Sequence, residues 1–267
     1  MNSLAAIYWA QFKVSLAVQF QYRASMSIWL IGRVIEPVIY LVVWRTVVRA
    51  QGGTLESYSE ADFAAYYIML MIVNHLTFTW IMFEYEYYIK NGTLASLLLR
   101  PLHPIHRDIA ENIAYKVLTF SIILPTAFLL SWIFQPAFDL QIWSTLAFIP
   151  ALLLAFVLRF AMGWTLAMAA FWTTRVSAFN STYFVAVLFF SGQIAPLELF
   201  PDWLQIGARF SPFPGMAAFP IELILGKLTM REVIFGFAIQ LAWAAICIGV
   251  LQFIWQAGTK RFSAVGA

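Results

Sequence analysis

The sequence predicts an all-α, polytopic integral membrane protein built as a single domain over residues 1–267. Three observations carry this. Hydrophobic residues make up 62% of the chain and charged residues 11%, with a mean hydropathy of +0.79. Soluble globular domains hold about 45–50% apolar and about 25% charged residues. Six stretches approach the roughly 20 apolar residues that a helix needs to cross the hydrocarbon core. Lys and Arg are distributed unevenly between the loops, as they are when one side of a membrane is cytoplasmic. So much Phe, Trp, Leu and Ile would leave a soluble protein too little polar surface to cover its outside. The length suits one membrane domain and leaves no room for a second, soluble catalytic one.

The N-terminus, MNSLAAIYWAQFKVSLAVQFQYR, lacks the basic segment, apolar run and small-residue site of a cleavable signal peptide. Within residues 1–23, Trp9, Phe12, Leu16 and Phe20 follow a helical spacing, and Gln11, Ser15 and Gln19 form a polar stripe. This pattern predicts a helix lying in the membrane interface with its polar edge toward water, the alternative being a frayed N-terminal helix.

The spans are expected at about Met26–Val48, Phe63–Phe83, Asn112–Phe134, Ile142–Trp172, Ala178–Ala195 and Val233–Trp255. The fourth is long enough to tilt or project beyond the bilayer. The fifth is short and runs into Gly192 and Pro196. With the N-terminus inside, the cytoplasmic side holds Lys13, Arg23, Lys90, Arg100, Arg107, Lys116, Arg175, Lys260 and Arg261. The outside holds Arg45, Arg49, Arg209, Lys227 and Arg231, together with most of the acids (Glu56, Glu60, Asp62, Asp139, Glu198, Asp202, Glu222 and Glu232). An even number of spans returns the C-terminus to the cytoplasm.

Two connections are too long to be turns. In the cytoplasmic one, residues 84–111, Asn91-Gly92-Thr93 marks a turn and a helix start. Leu94, Leu97 and Leu98 follow at helical spacing, and Arg100-Pro101 ends the helix. Such a surface helix either presses an apolar knob into a groove on a soluble partner or dips into the headgroups. The external connection, residues 192–231, is cut by Pro196, Pro201, Pro212, Pro214 and Pro220 into pieces too short to span. Irregular backbone at membrane depth is tolerated only where protein buries it or a wet cavity adjoins it.

The lone Cys247 excludes an intrachain disulfide framework and a Cys-based metal site, and it reads as a packing residue. The net charge of +3 is not a nucleic-acid signature. No Gly-x-x-x-x-Gly-Lys-Ser/Thr occurs, and Gly226-Lys227 is followed by Leu228, so ATP chemistry is not expected on this chain.

A charge near the bilayer centre costs about 2.5–3.5 kcal/mol on insertion scales, so intramembrane charges mark function or structural pairing. Arg33 and Glu36 stand at i, i+3 in the first span and can face each other, with Pro37 following. Arg159 lies inside the fourth span with no acid near in sequence; it snorkels, pairs with Glu36 or lines a path. Asn74, His75, Thr77 and Thr79 are expected to hydrogen-bond a neighbouring helix. His103, His106 and Asp108 share the cytoplasmic loop, where Pro104 and solvation argue against a metal site. Tyr66, Tyr67, Trp80, Tyr85, Tyr87 and Tyr88 read as interfacial belts, an aromatic cavity being the alternative.

The phrase IKNGTLASLLLRPLHPIHR resembles the loop between the second and third spans of ABC type-2 exporter permeases, where a Gly-x-Leu-x-x-Leu-Leu-x-(Arg)-Pro pattern recurs. SGQIAPLELFPDWLQ resembles the same family's Ser-Gly-x-x-x-Pro-x-x-x-(Phe)-Pro-x-Trp-(Leu) segment before the last span, and GTKRFSAVGA its short basic tail. The resemblance implies the membrane-spanning subunit of an ATP-driven exporter in the bacterial inner membrane. Two permease subunits, identical or paralogous, would pair with two ATP-binding subunits, and ATP and Mg would belong to those partners. It implies an ATPase-coupling element at Gly92, Leu94, Leu97, Leu98, Arg100 and Pro101. Re-entrant external helices would form an outer gate at Gly192, Pro196, Phe200 and Pro201. Arg33, Glu36 and Arg159 would line the pathway or the subunit interface. A gradient-driven secondary transporter and an integral-membrane lipid-modifying enzyme remain as other classes. The first asks for an embedded carboxylate, for which Glu36 alone qualifies. The second asks for a constellation such as Glu84, Glu86, His103, His106, Asp108 and Glu111.

Overall fold

A computed structural model describes residues 4–173 and 176–262. Arg175 and the Arg23 side chain, both used above to assign the cytoplasmic side, and the tail beyond Phe262 lie outside the described residues. The chain is all-α apart from one two-residue hairpin. In order it forms α1 (Leu4–Gln21), α2 (Arg23–Ala50), β1 (Thr54–Leu55), β2 (Tyr58–Ser59), α3 (Glu60–Thr77), α4 (Ile81–Lys90), α5 (Thr93–Leu98) and α6 (Pro104–Phe134). It continues with α7 (Ile142–Met168), α8 (Val176–Phe190), α9 (Asp202–Arg209), α10 (Ala218–Ile224) and α11 (Met230–Arg261).

Four helical stretches among the described residues are long and apolar enough to cross a membrane: Glu60–Lys90, Pro104–Phe134, Ile142–Phe171 and Met230–Arg261. The 28-residue α2 matches them in length but carries Arg33, Glu36, Arg45 and Arg49. The apolar α8 is shorter, at 15 residues. Helix starts follow their sequence signals. Ser59 with Asp62 and Thr229 with Glu232 close capping boxes on α3 and α11. Pro104 sits at the first turn of α6, where its missing N–H costs nothing.

The central helix is α7, which packs against α11, α4, α10 and α3. One apolar cluster gathers around α3 with α2, α6 and α10, and a second joins α4, α5, α7 and α11. Tyr66, Tyr67 and Tyr85 are fully buried in these clusters, so they are core residues rather than members of an interfacial belt.

The N-terminal helix reverses the expected arrangement. Its polar stripe turns inward onto α6. Ser15 is buried, Gln19 Nε2 donates to the Glu111 carbonyl at 3.2 Å, and Tyr8 Oη bonds His106 Nδ1 at 2.7 Å. Trp9, Val14, Val18 and Phe20 point outward. Polar groups that find partners on a neighbouring helix need no water, which leaves the apolar face free for an apolar surrounding.

Candidate functional site

The expected second span is interrupted. Helix α3 stops at Thr77, and Phe78, Thr79 and Trp80 are non-helical before α4 resumes at Ile81. No Gly or Pro causes the break. The freed Phe78 carbonyl is taken by Lys116 of α6, whose Nζ donates to it at 2.9 Å and to Asn112 Oδ1 at 3.1 Å. Lys116 is itself buried. Opposite the break stands Gly163 of α7, where an added Cβ would lie 2.9 Å from Thr79 Oγ1. The interruption is therefore braced from two sides, as non-helical backbone in an apolar setting must be.

A cavity of about 330 Å³ opens at this break, lined by residues of α2, α3, α4, α7 and α8. Arg33, Glu36 and Arg159, singled out in the sequence, all line it. Arg33 and Glu36 do not pair. The Arg33 guanidinium lies over the Phe78 ring, 3.5 Å from its centroid, and the ion pairs among the described residues do not include it. Arg159 is 4% exposed and donates to Asn74 Oδ1 at 2.7 Å, the same oxygen that Gln193 Nε2 reaches at 3.4 Å. It neither snorkels nor closes an ion pair with Glu36. His75 bonds Thr119 Oγ1 on α6 at 3.1 Å, the interhelical contact expected of it.

The connection over residues 84–111 folds differently from a simple outward knob. Gly92 takes a left-handed conformation (φ 71) and starts α5. Leu94 and Leu97 turn inward into the cluster of α4 and α7, and Leu98 is half-buried against it. The expectation that these leucines face a partner does not hold for Leu94 and Leu97. The apolar side chain that projects is Leu99, 87% exposed, followed by exposed Arg100 and Pro101. Helical spacing identified an apolar face correctly but could not say which side of the element the chain itself would cover.

Beneath this turn lies a buckle that sequence reasoning missed. Asp108, 1% exposed, accepts from Tyr85 Oη of α4 at 2.6 Å and from Trp164 Nε1 of α7 at 2.9 Å. Arg107 Nη2 stands 3.3 Å away. One carboxylate thus ties α6 to α4 and α7. His103 caps α6, its Nδ1 accepting from the Ile105 N–H at 3.2 Å. Burial, with His106 beside it, pushes the His103 imidazole below its usual range, which suits an accepting nitrogen. No cluster of three His, Cys, Asp or Glu side chains able to hold a metal occurs among the described residues.

The connection over residues 192–231 begins with Gly192 at φ 82. Tyr66 Oη donates to its carbonyl at 2.8 Å, while Tyr67 Oη and Trp44 Nε1 both donate to Ile194 O, at 2.5 and 2.7 Å. Pro196 and Phe200 bound a single 3-10 turn, and Pro201 caps α9. Helix α9 buries Leu204 and Ala208 and exposes Trp203 and Ile206. Helix α10 is almost wholly buried against α7 and α3. Its Glu222 has Oε1 buried without a hydrogen-bond partner, and burial with Glu198 and Glu232 nearby pushes the carboxyl up to about 8.

Long apolar helices, one of them broken around a charged cavity, fit a multi-pass transport protein. No curated protein matches the chain. The family model described as ABC-2 family transporter protein matches residues 34–266, which spans the broken helix, the turn after α5 and the connection over residues 192–231, and the chain belongs to that family.

Proposed function

We propose that this chain is the membrane-spanning subunit of an ATP-driven exporter. It would form half of a translocation pathway and take its energy from a separate ATP-binding subunit on the cytoplasmic side. In this reading α2, α3 with α4, α6, α7, α8 and α11 are six spans, with both termini cytoplasmic in a bacterial inner membrane. Residues 192–231 form short re-entrant pieces at the outer end, where Gly192, Pro196, Phe200 and Pro201 belong to an outer gate. Two such subunits would pair and bind two ATPases, which carry ATP and Mg.

The observation that carries the reading is the exposed turn Leu99–Pro101 directly after α5, whose Leu94 and Leu97 pack in one apolar cluster with Tyr85 and Trp164, the two partners of Asp108. A partner pressing on Leu99 and Arg100 would push on α5 and α4, and α4 begins at the cavity. Gly92, Leu94, Leu97 and Leu98 then shape the coupling element from inside, and Leu99 and Arg100 make the contact. Family membership supports the ATP-binding partner in general terms.

The test is purification of the chain with its native partners in nanodiscs and measurement of ATP hydrolysis. Leu99→Asp is expected to uncouple hydrolysis or release the ATPase with little change in thermal stability. Leu97→Asp, which buries a charge, is expected to lower stability by several kcal/mol. If Leu99→Asp leaves both hydrolysis and partner binding intact, or the chain moves substrate with no ATPase present, the reading fails.

A further inference from the structure

The charges around the broken helix do not balance. Arg33 and Arg159 face the same cavity, and Lys116 lies behind it on the freed Phe78 carbonyl. None of the three has a carboxylate within ion-pair distance among the described residues. Glu36 is the one acid on the wall. Arg159 is the sharpest case: its side chain is buried, its Nη2 meets only the neutral Asn74 amide, and its Nε is buried without any partner. A buried guanidinium with donors left over is costly unless an anion completes it.

Much of the rest of the wall is apolar, with the Thr79 and Tyr183 hydroxyls among it. Met82, Phe184, Val187 and Leu188 line it. Glu36, Trp80 and Val185 line it too and are exposed at the side of the helix bundle, so the cavity has a lateral mouth. A small inorganic anion would use the cations and waste the apolar wall. An amphiphile would use both, with its headgroup inside and its chain leaving sideways.

We propose that the cavity at the α3–α4 break binds the anionic headgroup, carboxylate or phosphate, of a single-chain amphiphile. Arg159 is the principal ligand, with Arg33, Asn74 and Gln193 around it. This rests on reading the cavity as part of the pathway and adds the substrate class to it. Glu36 opposes the bound charge at the mouth and weakens binding.

The test uses the full chain in maltoside detergent without an ATPase, so that coupling plays no part in the result. Dodecyl phosphate, laurate, dodecyltrimethylammonium and inorganic phosphate are titrated and binding is read by calorimetry. Dodecyl phosphate and laurate are expected to bind at least about tenfold more tightly than the quaternary ammonium. Arg159→Gln is expected to lose about ten- to a hundredfold, as removal of a charge-assisted hydrogen bond does, and Arg159→Lys less. Glu36→Gln is expected to tighten binding several-fold, a gain that misfolding cannot mimic. Native mass spectrometry separates the sources. Acidic phospholipid retained by the parent and lost from Arg159→Gln identifies a bilayer lipid. A protein that binds dodecyl phosphate and retains no phospholipid identifies an exported amphiphile. Equal binding of the cation, a folded Arg159→Gln with parental affinity, or Glu36→Gln without any tightening would each overturn the proposal. Inorganic phosphate binding as tightly as dodecyl phosphate would overturn its amphiphile half. Coupled hydrolysis without anion selectivity would sink this inference alone, whereas anion binding with no ATPase partner would sink the exporter reading.

Discussion

Removing the Asp108 carboxylate is expected to cost more than any other single polar truncation near the turn after α5. Asp108→Ala leaves the Tyr85 hydroxyl and the Trp164 indole N–H without their acceptor, and both side chains are fully buried. Each orphaned buried donor costs about 1–3 kcal/mol, so the pair costs about 3–5 kcal/mol. Arg107 keeps Glu111, 3.4 Å away, and the Tyr88 hydroxyl, so its loss is small. Against a total stability of about 5–15 kcal/mol, that is a large fraction. At about 2–4 °C per kcal/mol for a chain of this size, the melting temperature falls by about 6–20 °C. Asp108→Asn keeps one acceptor oxygen and is expected to lose less than half as much. The assay is thermal unfolding in nanodiscs followed by tryptophan fluorescence, with Tyr85→Phe completing a double-mutant cycle. Contacting partners couple by about 0.5–3 kcal/mol in such cycles. An Asp108→Ala protein melting within about 2 °C of the parent, or additive effects in the cycle, would refute the buckle.

Two further outcomes follow from the connection over residues 192–231. Glu222 is held well above the 4.5 of an unperturbed carboxyl, up to about 8, because burial penalises its charge. The folded state therefore holds this proton more tightly than the unfolded state, and its contribution to stability falls as pH rises from about 4.5 to about 8. Glu222→Gln is expected to match the parent at pH 5 and to melt a few degrees higher at pH 9. A constant difference across that range would argue against a titrating Glu222. At Gly192, φ is 82 and an added Cβ would lie 2.5 Å from Tyr66 Oη and 2.9 Å from Ala218 Cβ. Gly192→Ala should destabilise by about 1–3 kcal/mol through strain and overpacking. Tyr66→Phe, which removes the hydroxyl, should recover part of that in the double variant. An unchanged melting temperature for Gly192→Ala would show that the connection is not held against α3 in this way.

What the sequence determined by itself is what depends on local chemistry. The apolar content, the helical stretches and the Gly92 turn are readable because hydropathy, periodicity and turn chemistry act within a few residues. Polarity also marked Arg33, Glu36 and Arg159 as residues that had to be explained, and all three do meet at one cavity. Tertiary structure decided everything that depends on which partner is near. The run through Phe78 reads as one continuous span, since it holds no Gly or Pro. Its break is tolerated because Lys116, 38 positions away, satisfies the freed carbonyl. The polar stripe of α1 faces α6 rather than water because Glu111 and His106 offer it hydrogen bonds. Leu94 and Leu97 face inward because α4 and α7 bury them, which leaves Leu99 as the exposed apolar side chain. A sequence records that a group is apolar or charged. Where that group goes is set by long-range competition between solvent, lipid and the other helices.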